Sequence, residues 1–110
     1  MTSNDTSRAL YSGMIRLHIL HHACKGSIFG LEMIEELGHH GYKVSPGMLY
    51  PLLHGLESRG LLYSSERKVG SARRRLYRAT PAGRKALRAA KEKVRELFSE
   101  LLEETMDSKP

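Results

Sequence analysis

The chain has 110 residues, 27% charged and 40% hydrophobic, with 18 Lys and Arg against 12 Asp and Glu for a net charge of +6 and a pI near 9.7. That length admits one domain with one modest core, and the composition excludes a disordered or low-complexity chain. No apolar run approaches the roughly 20 residues of a membrane span, no signal-like leader opens the chain, and its single cysteine, Cys24, has no internal disulfide partner, so a cytoplasmic protein is expected.

In chain order, a first helix is predicted over residues 7–24, with Ser7 or a near neighbour as cap. Leu10, Met14, Leu17 and Leu20 form one stripe and Ile15 and Ile19 another, so it is expected to be packed from two sides. "KGSIFG" reads as a turn with a very short extended piece, and a second helix follows over residues 31–37 with Leu31, Ile34 and Leu37 on its stripe and Met33 beside it. "GHHGYKV" breaks the chain. A third helix then starts with Ser45 as N-cap and Pro46 at the first helical position, where a missing N–H costs nothing. "GLLYSSERKV" and "RRRLYRA" are two strand-like runs around "GSA", a hairpin with a small tip, basic flanks and apolar contacts from Leu62, Leu76 and Tyr77. Thr80 and Pro81 repeat the cap-plus-proline start, and a last helix runs to about residue 106. The expected fold class is mainly α with a small β-hairpin wing: a winged helix-turn-helix over residues 1–80 and a C-terminal dimerisation helix over residues 81–110, in one compact unit.

The third helix holds the sharpest functional signal. Leu49, Leu52, Leu53 and Leu56 share a buried side, whereas Gly47, Pro51, His54 and Ser58 point away and Tyr50 lies on the flank. Small outward residues let the helix approach a groove wall, and the N–H groups around Ser45 and Met48 favour a phosphate. Tyr50 offers a hydroxyl to phosphate or sugar, and His54 offers a donor or acceptor to a base edge. Pro51 fits without loss if the effective cap is Gly47 or Met48; otherwise a kink is expected.

Charge is concentrated just downstream. Residues 64–95 hold twelve basic and two acidic side chains, a net of +10, leaving the remainder net acidic. Such a zone attracts polyanions and releases counterions on meeting phosphate, so double-stranded DNA is the leading partner, ahead of an anionic membrane surface. Lys68, Arg73, Arg74 and Arg75 are the hairpin cations expected to clamp phosphates or enter a minor groove.

In the last helix Leu87, Ala90, Val94, Leu97 and Leu101 step by three and four, with Phe98 and Leu102 flanking them. A seam that wide calls for a cover. Leu10, Met14, Leu87, Val94, Leu97, Phe98 and Leu101 are therefore assigned to a homodimer interface, the alternative being that the helix packs only on the first helix of its own chain.

His18, His21 and His22 sit at i, i+3 and i+4 with Cys24 close behind, the spacing of a metal site or of packing histidines. With no carboxylate in the same turn, packing or surface histidines are preferred and no metal or other cofactor is assigned; Cys24 is read as a small apolar residue rather than a peroxide-sensing thiol. No phosphate loop, nucleophile elbow or convergent acidic pair supports an enzyme, and Glu96, Glu100, Glu103, Glu104 and Asp107 space as a solvated helix face.

"GMIRLHIL", "FGLEMIEEL", "SPGMLYPLLHGLESRGLL" and "RRRLYRATPAG" resemble, in order and spacing, the PadR family of bacterial transcriptional regulators across nearly the whole chain. The resemblance implies a winged helix-turn-helix homodimer completed by its single C-terminal helix, repressing from a promoter and released by a small-molecule effector. It places a recognition helix over residues 46–59, with Ser45, Gly47, Tyr50, Pro51 and His54 toward DNA, Arg73, Arg74 and Arg75 in the wing and Gly83 in the first turn of the last helix. Two positions depart from the family pattern: Phe29 stands where tyrosine is common, and His54-Gly55 replaces a more often polar or basic site. There is no tryptophan to stack a flat ligand. The expectation is a sequence-specific DNA-binding repressor on a palindromic operator. The alternative is a protein-interaction module whose basic surface grips an acidic partner, and behind it a metal- or thiol-responsive sensor.

Overall fold

A computed structural model describes residues 2–107, with side chains over residues 8–103; the side chains of Ser7, Glu104 and Asp107, named above, lie outside the described residues. The elements are α1 (Thr2–Lys25), β1 (Ile28–Phe29), α2 (Gly30–His39), α3 (Pro46–Ser58), β2 (Leu62–Val69), β3 (Ala72–Ala79) and α4 (Pro81–Asp107). The hairpin expected from sequence gains a third member. β1 pairs antiparallel with β3 through Ile28 opposite Tyr77 and Phe29 opposite Leu76, giving the strand order β1-β3-β2. Along β2 and β3 the register runs from Leu62 opposite Ala79 to Val69 opposite Ala72, so Gly70 and Ser71 make the wing tip.

Both helices of the helix-turn-helix end in the same way. In α2, Gly41 has φ +89; its N–H donates to the Gly38 carbonyl at 3.0 Å and that of Tyr42 to the Leu37 carbonyl at 2.9 Å. In α3, Gly60 has φ +79, with its N–H on the Glu57 carbonyl and that of Leu61 on the Leu56 carbonyl, both at 2.9 Å. These are Schellman closures, which need a left-handed residue and pack the next apolar side chain back on the helix. They fix where the turn and the wing begin.

α3 starts as expected at an extended Ser45 (φ −91, ψ 165) with Pro46 at the first helical position, but the Ser45 side chain makes no capping bond. Its carbonyl instead accepts from Met48 and Leu49 at 3.0 and 2.9 Å. With Ser45 as the cap, Pro51 lies six residues into the helix and removes the bond its N–H would have made to the Gly47 carbonyl. A cap at Gly47 or Met48 is therefore not what makes Pro51 tolerable; the helix continues through it to Ser58. The sequence gives a physical reason for that continuity: Leu49, Leu53 and Leu56 are buried at 0%, 0% and 4% exposure, and each such side chain is worth about 1.5–3 kcal/mol on burial.

The core gathers Ile15, Ile19, Leu20 and Ala23 of α1, Met33 and Leu37 of α2, the three α3 leucines, Leu62, Tyr77 and Leu87. Two sequence assignments change. Leu20 belongs to the core side of α1 rather than to the stripe of Leu10 and Met14, which are exposed. Leu87 is buried in its own chain and so leaves the proposed dimer seam. Beyond it, every α4 side chain over residues 91–103 is exposed.

Candidate nucleic-acid interface

The outer face of α3 is bare. Ser45, Gly47, Pro51 and His54 are all exposed, so four of the five helix residues expected to face DNA stand at the surface. Tyr50 differs. It is half-buried and packed against the core, with its ring against Gly30: a Cβ there would collide with the phenol oxygen and stand 2.7 Å from Cζ. Tyr50 thus pins α3 to the start of α2. That start is also held by the Glu32 carboxylate, which accepts the Phe29 N–H at 3.2 Å. The pattern could have revealed this role, since Tyr50 falls between the leucine face and the outer face.

The wing cations Lys68, Arg73, Arg74 and Arg75 are exposed and lie side by side, Lys68 opposite Arg73 across the hairpin. Glu66 sits between two of them. Its carboxylate meets Arg73 at 3.4 Å and Arg75 at 3.5 Å. Arg75 also donates to Ser64 Oγ at 3.1 Å, and that hydroxyl donates to the Glu57 carboxylate at 2.7 Å. Glu57 is on α3, so an Arg75–Ser64–Glu57 relay joins the wing to the bare helix. Arg74 takes the other side of the hairpin, with its guanidinium carbon 5.6 Å from the centroid of the Phe29 ring, within cation–π range. Phe29, where tyrosine was noted as common, serves here as an aromatic rest for a wing arginine. Glu57, Ser64 and Glu66 were not singled out from sequence; the hairpin register, once fixed, puts Glu66 opposite Arg75 and makes the pair legible.

Tyr77 fills the sheet behind this relay with 0% exposure. Burial, reinforced by the nearby Glu57 carboxylate, raises its phenol above the ordinary tyrosine range. It stays neutral and structural.

The histidines do not assemble a metal site: among the described residues no three His, Cys, Asp or Glu are placed to hold an ion. His22 and His40 both approach Glu36 Oε2, at 3.5 and 3.1 Å, and the His18 ring stacks on His40 at 4.7 Å and meets Tyr42 edge-on at 5.5 Å. The cluster packs α1 against the end of α2. Burial and then the neighbouring imidazoles lower the His18 pKa; burial and then Lys25 lower that of His21. Cys24 is a free, half-buried thiol packed on the core.

α4 is seated by the motif read from sequence. Thr80 Oγ1 accepts the Gly83 N–H at 2.9 Å and donates to the Gly60 carbonyl at 2.6 Å, while Arg84 closes the first turn on the Thr80 carbonyl at 2.9 Å. Further along, Val94, Leu97 and Phe98 are 48%, 55% and 61% exposed, and Leu10 of α1 is 67% exposed. No helix among the described residues is long and apolar enough to cross a membrane.

Residues 19–89 match the profile of the "Transcriptional regulator PadR-like family", a stretch that spans the helix-turn-helix, the wing and the seating of α4. The chain is 50% identical over 95 residues to Transcriptional regulator Rv3488 of Mycobacterium tuberculosis, covering 86% of this chain and 89% of that one. It superposes on the crystal structure of a PadR family transcriptional regulator from Eggerthella lenta with a TM-score of 0.79 at 25% identity, covering 97% of this chain and 94% of the other. A PadR-like regulator from Bacillus cereus shares the fold at TM-score 0.78 and 22% identity, with 92% and 99% of the two chains covered. The family and each of these relatives are described as regulators of transcription. With the bare α3 and the arginine wing in the matched segment, the chain belongs to the PadR-like family of transcriptional regulators.

Proposed function

We propose that this regulator represses transcription as a two-fold homodimer on an inverted-repeat operator. Residues 1–80 supply the DNA-binding part and residues 81–110 the dimerisation helix. The observation behind this reading is that the outside of α3 is uncovered and polar-to-small while the wing beside it is densely cationic.

In this reading α3 of each copy enters a major groove, the two half-sites lying roughly 34–36 Å apart. Gly47 and Pro51 keep the helix surface low against the groove wall, and the Ser45 hydroxyl, free of a capping bond, joins the first-turn N–H groups at a phosphate. His54 reads a base edge. Lys68, Arg73, Arg74 and Arg75 hold the adjacent backbone, and Tyr50 acts indirectly by holding α3 in place. Val94, Leu97 and Phe98, exposed on α4, cover the Leu10 and Met14 side of α1 in a second copy, since an apolar seam of this kind is buried by self-association. A small-molecule effector that altered the relative placement of the two recognition helices would release the operator.

The test is salt-titrated binding of the whole chain to a palindrome selected from a random duplex pool and to a scrambled duplex of equal length. Tighter binding to the palindrome is expected, and His54→Ala is expected to lose more discrimination than non-specific affinity. Equal affinities for both duplexes would reject base readout and leave the basic surface to an acidic protein partner.

A further inference from the structure

A cleft of about 600 Å³ opens between α1, the turn before α3 and the first two turns of α3. Among the described residues it is lined by three cations, Arg8 and Arg16 of α1 and Lys43 of the turn, and by no acidic side chain; Tyr11, Tyr42 and Met48 also line it. Among the described residues none of the three cations is in an ion pair. Gly47 and Pro51, from the bare outer face of α3, also line it, so the cleft is continuous with the proposed DNA-facing surface.

Its position on the helix matters. At about 100° per residue, Met48 and Leu52 lie on one flank of the outer face of α3 and Tyr50 and Glu57 on the other. Glu57 is bonded to Ser64 of the wing. Wing and cleft therefore bracket α3 from opposite flanks. The cleft side of α1, with Arg8, Ser12 and Arg16, is also distinct from the side bearing Leu10 and Met14, so the proposed dimer seam leaves it open.

We infer that this cleft seats the sugar–phosphate backbone of the duplex strand opposite the one held by the wing. The inference rests on the DNA-binding reading above. A helix in a major groove about 12 Å wide has a backbone on each side of it, and the wing supplies cations to only one. Arg16 and Lys43 are the phosphate ligands on the other flank, with Arg8 extending the cationic wall along α1. Their contacts fix the register of α3 in the groove without reading bases.

The experiment uses the whole chain carrying Arg16→Gln and Lys43→Gln together, titrated with salt against a generic duplex of about 30 bp, where each lost phosphate contact lowers the log–log slope by about 0.9. The expected result is a slope shallower by roughly 2 units, with loss of affinity for every duplex alike. Ethylation interference on the selected palindrome should show two groups of sensitive phosphates per half-site in the parent, one on each strand. The double variant should lose the group far from the wing, and Arg74→Ala the group beneath it. Lys43→Gln alone, at an exposed position, is expected to remove about one unit and serves where the double variant melts early. An unchanged slope in variants of a parent that binds duplex overturns the inference and leaves the DNA-binding reading standing. A parent that binds no duplex overturns both. Binding of benzoate that quenches Tyr11 and Tyr42 fluorescence, with the slope unchanged, assigns the cleft to a small anion and also overturns it.

Discussion

Replacing Gly83 by alanine tests the most tightly specified junction in the fold. Gly83 is in the first turn of α4, where a Cβ would collide with the Leu61 carbonyl oxygen, stand 3.1 Å from its carbon and press on Leu20 Cδ1 at 3.3 Å. The obstacle is backbone rather than a flexible side-chain end. The same carbonyl accepts the Thr80 N–H at 3.0 Å, and Thr80 Oγ1 donates to the Gly60 carbonyl, so moving α4 away to make room stretches both bonds. Two hydrogen bonds at about 1 kcal/mol each and overpacking of about 2 kcal/mol, less about 1 kcal/mol for alanine's better helix propensity, give a destabilisation near 3 kcal/mol. For a chain of this size that lowers Tm by about 10–20 °C. Gly38→Ala is the internal control: Gly38 lies in α2 with nothing within 4 Å of its missing Cβ, and propensity alone should stabilise the chain by up to about 1 kcal/mol. Thermal denaturation followed by circular dichroism, at one protein concentration because association shifts Tm, reads both. If Gly83→Ala melts within about 2 °C of the parent, the close approach of α4 to Leu61 does not constrain this residue.

Leu97→Glu, at a side chain 55% exposed on α4, should shift the sedimenting mass from dimer to monomer with the helix content kept; an unchanged mass assigns the seam to something other than a second copy. Glu66→Gln removes the carboxylate shared by Arg73 and Arg75, so non-specific duplex affinity should rise severalfold with a steeper salt dependence, and a fall would mean that those pairs hold the wing in its binding geometry. His18 has its pKa lowered from 6.5 in the folded chain, so the unfolded chain takes up that proton first. Stability should be unaffected above that value and decline as pH falls through it toward the lower folded value. His18→Gln should flatten the decline in Tm between about pH 7.5 and 5.5, and an equally steep decline would move the effect elsewhere, His21 being the first alternative.

The sequence exposes those parts of the fold that depend on local chemistry. Ser45-Pro46 and Thr80-Pro81 mark two helix starts because an extended residue followed by proline can do little else; the first leaves its hydroxyl uncommitted and the second uses it twice. Only the geometry of the chain around Gly60 and Leu61 distinguishes them. The wing cations are legible as a run, but their organisation is not, because Glu66 meets Arg73 and Arg75 through cross-strand register. Leu87 continues a seam of threes and fours along α4, and periodicity alone has no means of showing that its first member is buried in the home chain while those after residue 91 are exposed. The packing of Tyr50 is hidden for a related reason: the surroundings of a flank position are decided by the neighbouring helix, here by the room left at Gly30. The cationic cleft is spread over α1 and the turn, with no contiguous basic run to announce it.

The arginines of the wing have already been given partners, and the strength of those partners decides how the surface behaves. The Glu66 pairs are long, at 3.4 and 3.5 Å, and join half-exposed or more exposed groups; ion pairs of that kind are worth roughly 0–1 kcal/mol. The stacking of Arg74 on Phe29, at an exposed site, is of the order of 0.5–1 kcal/mol. Each is too weak to compete with a phosphate that releases condensed counterions, yet together they restrict three long side chains that would otherwise lose rotamer freedom on binding. The relay from Arg75 through Ser64 to Glu57 adds a positional link, since it spans β3, β2 and α3. A displacement of the wing is thereby felt at α3, the helix proposed to face the groove. The helix itself is also fixed on that flank by Tyr50 against Gly30, and from beneath by its three buried leucines. On the proposed reading, the arrangement is rigid where bases would be read and loosely paired where phosphates would be exchanged, the division of labour that sequence-specific binding from a weakly bound, sliding state requires.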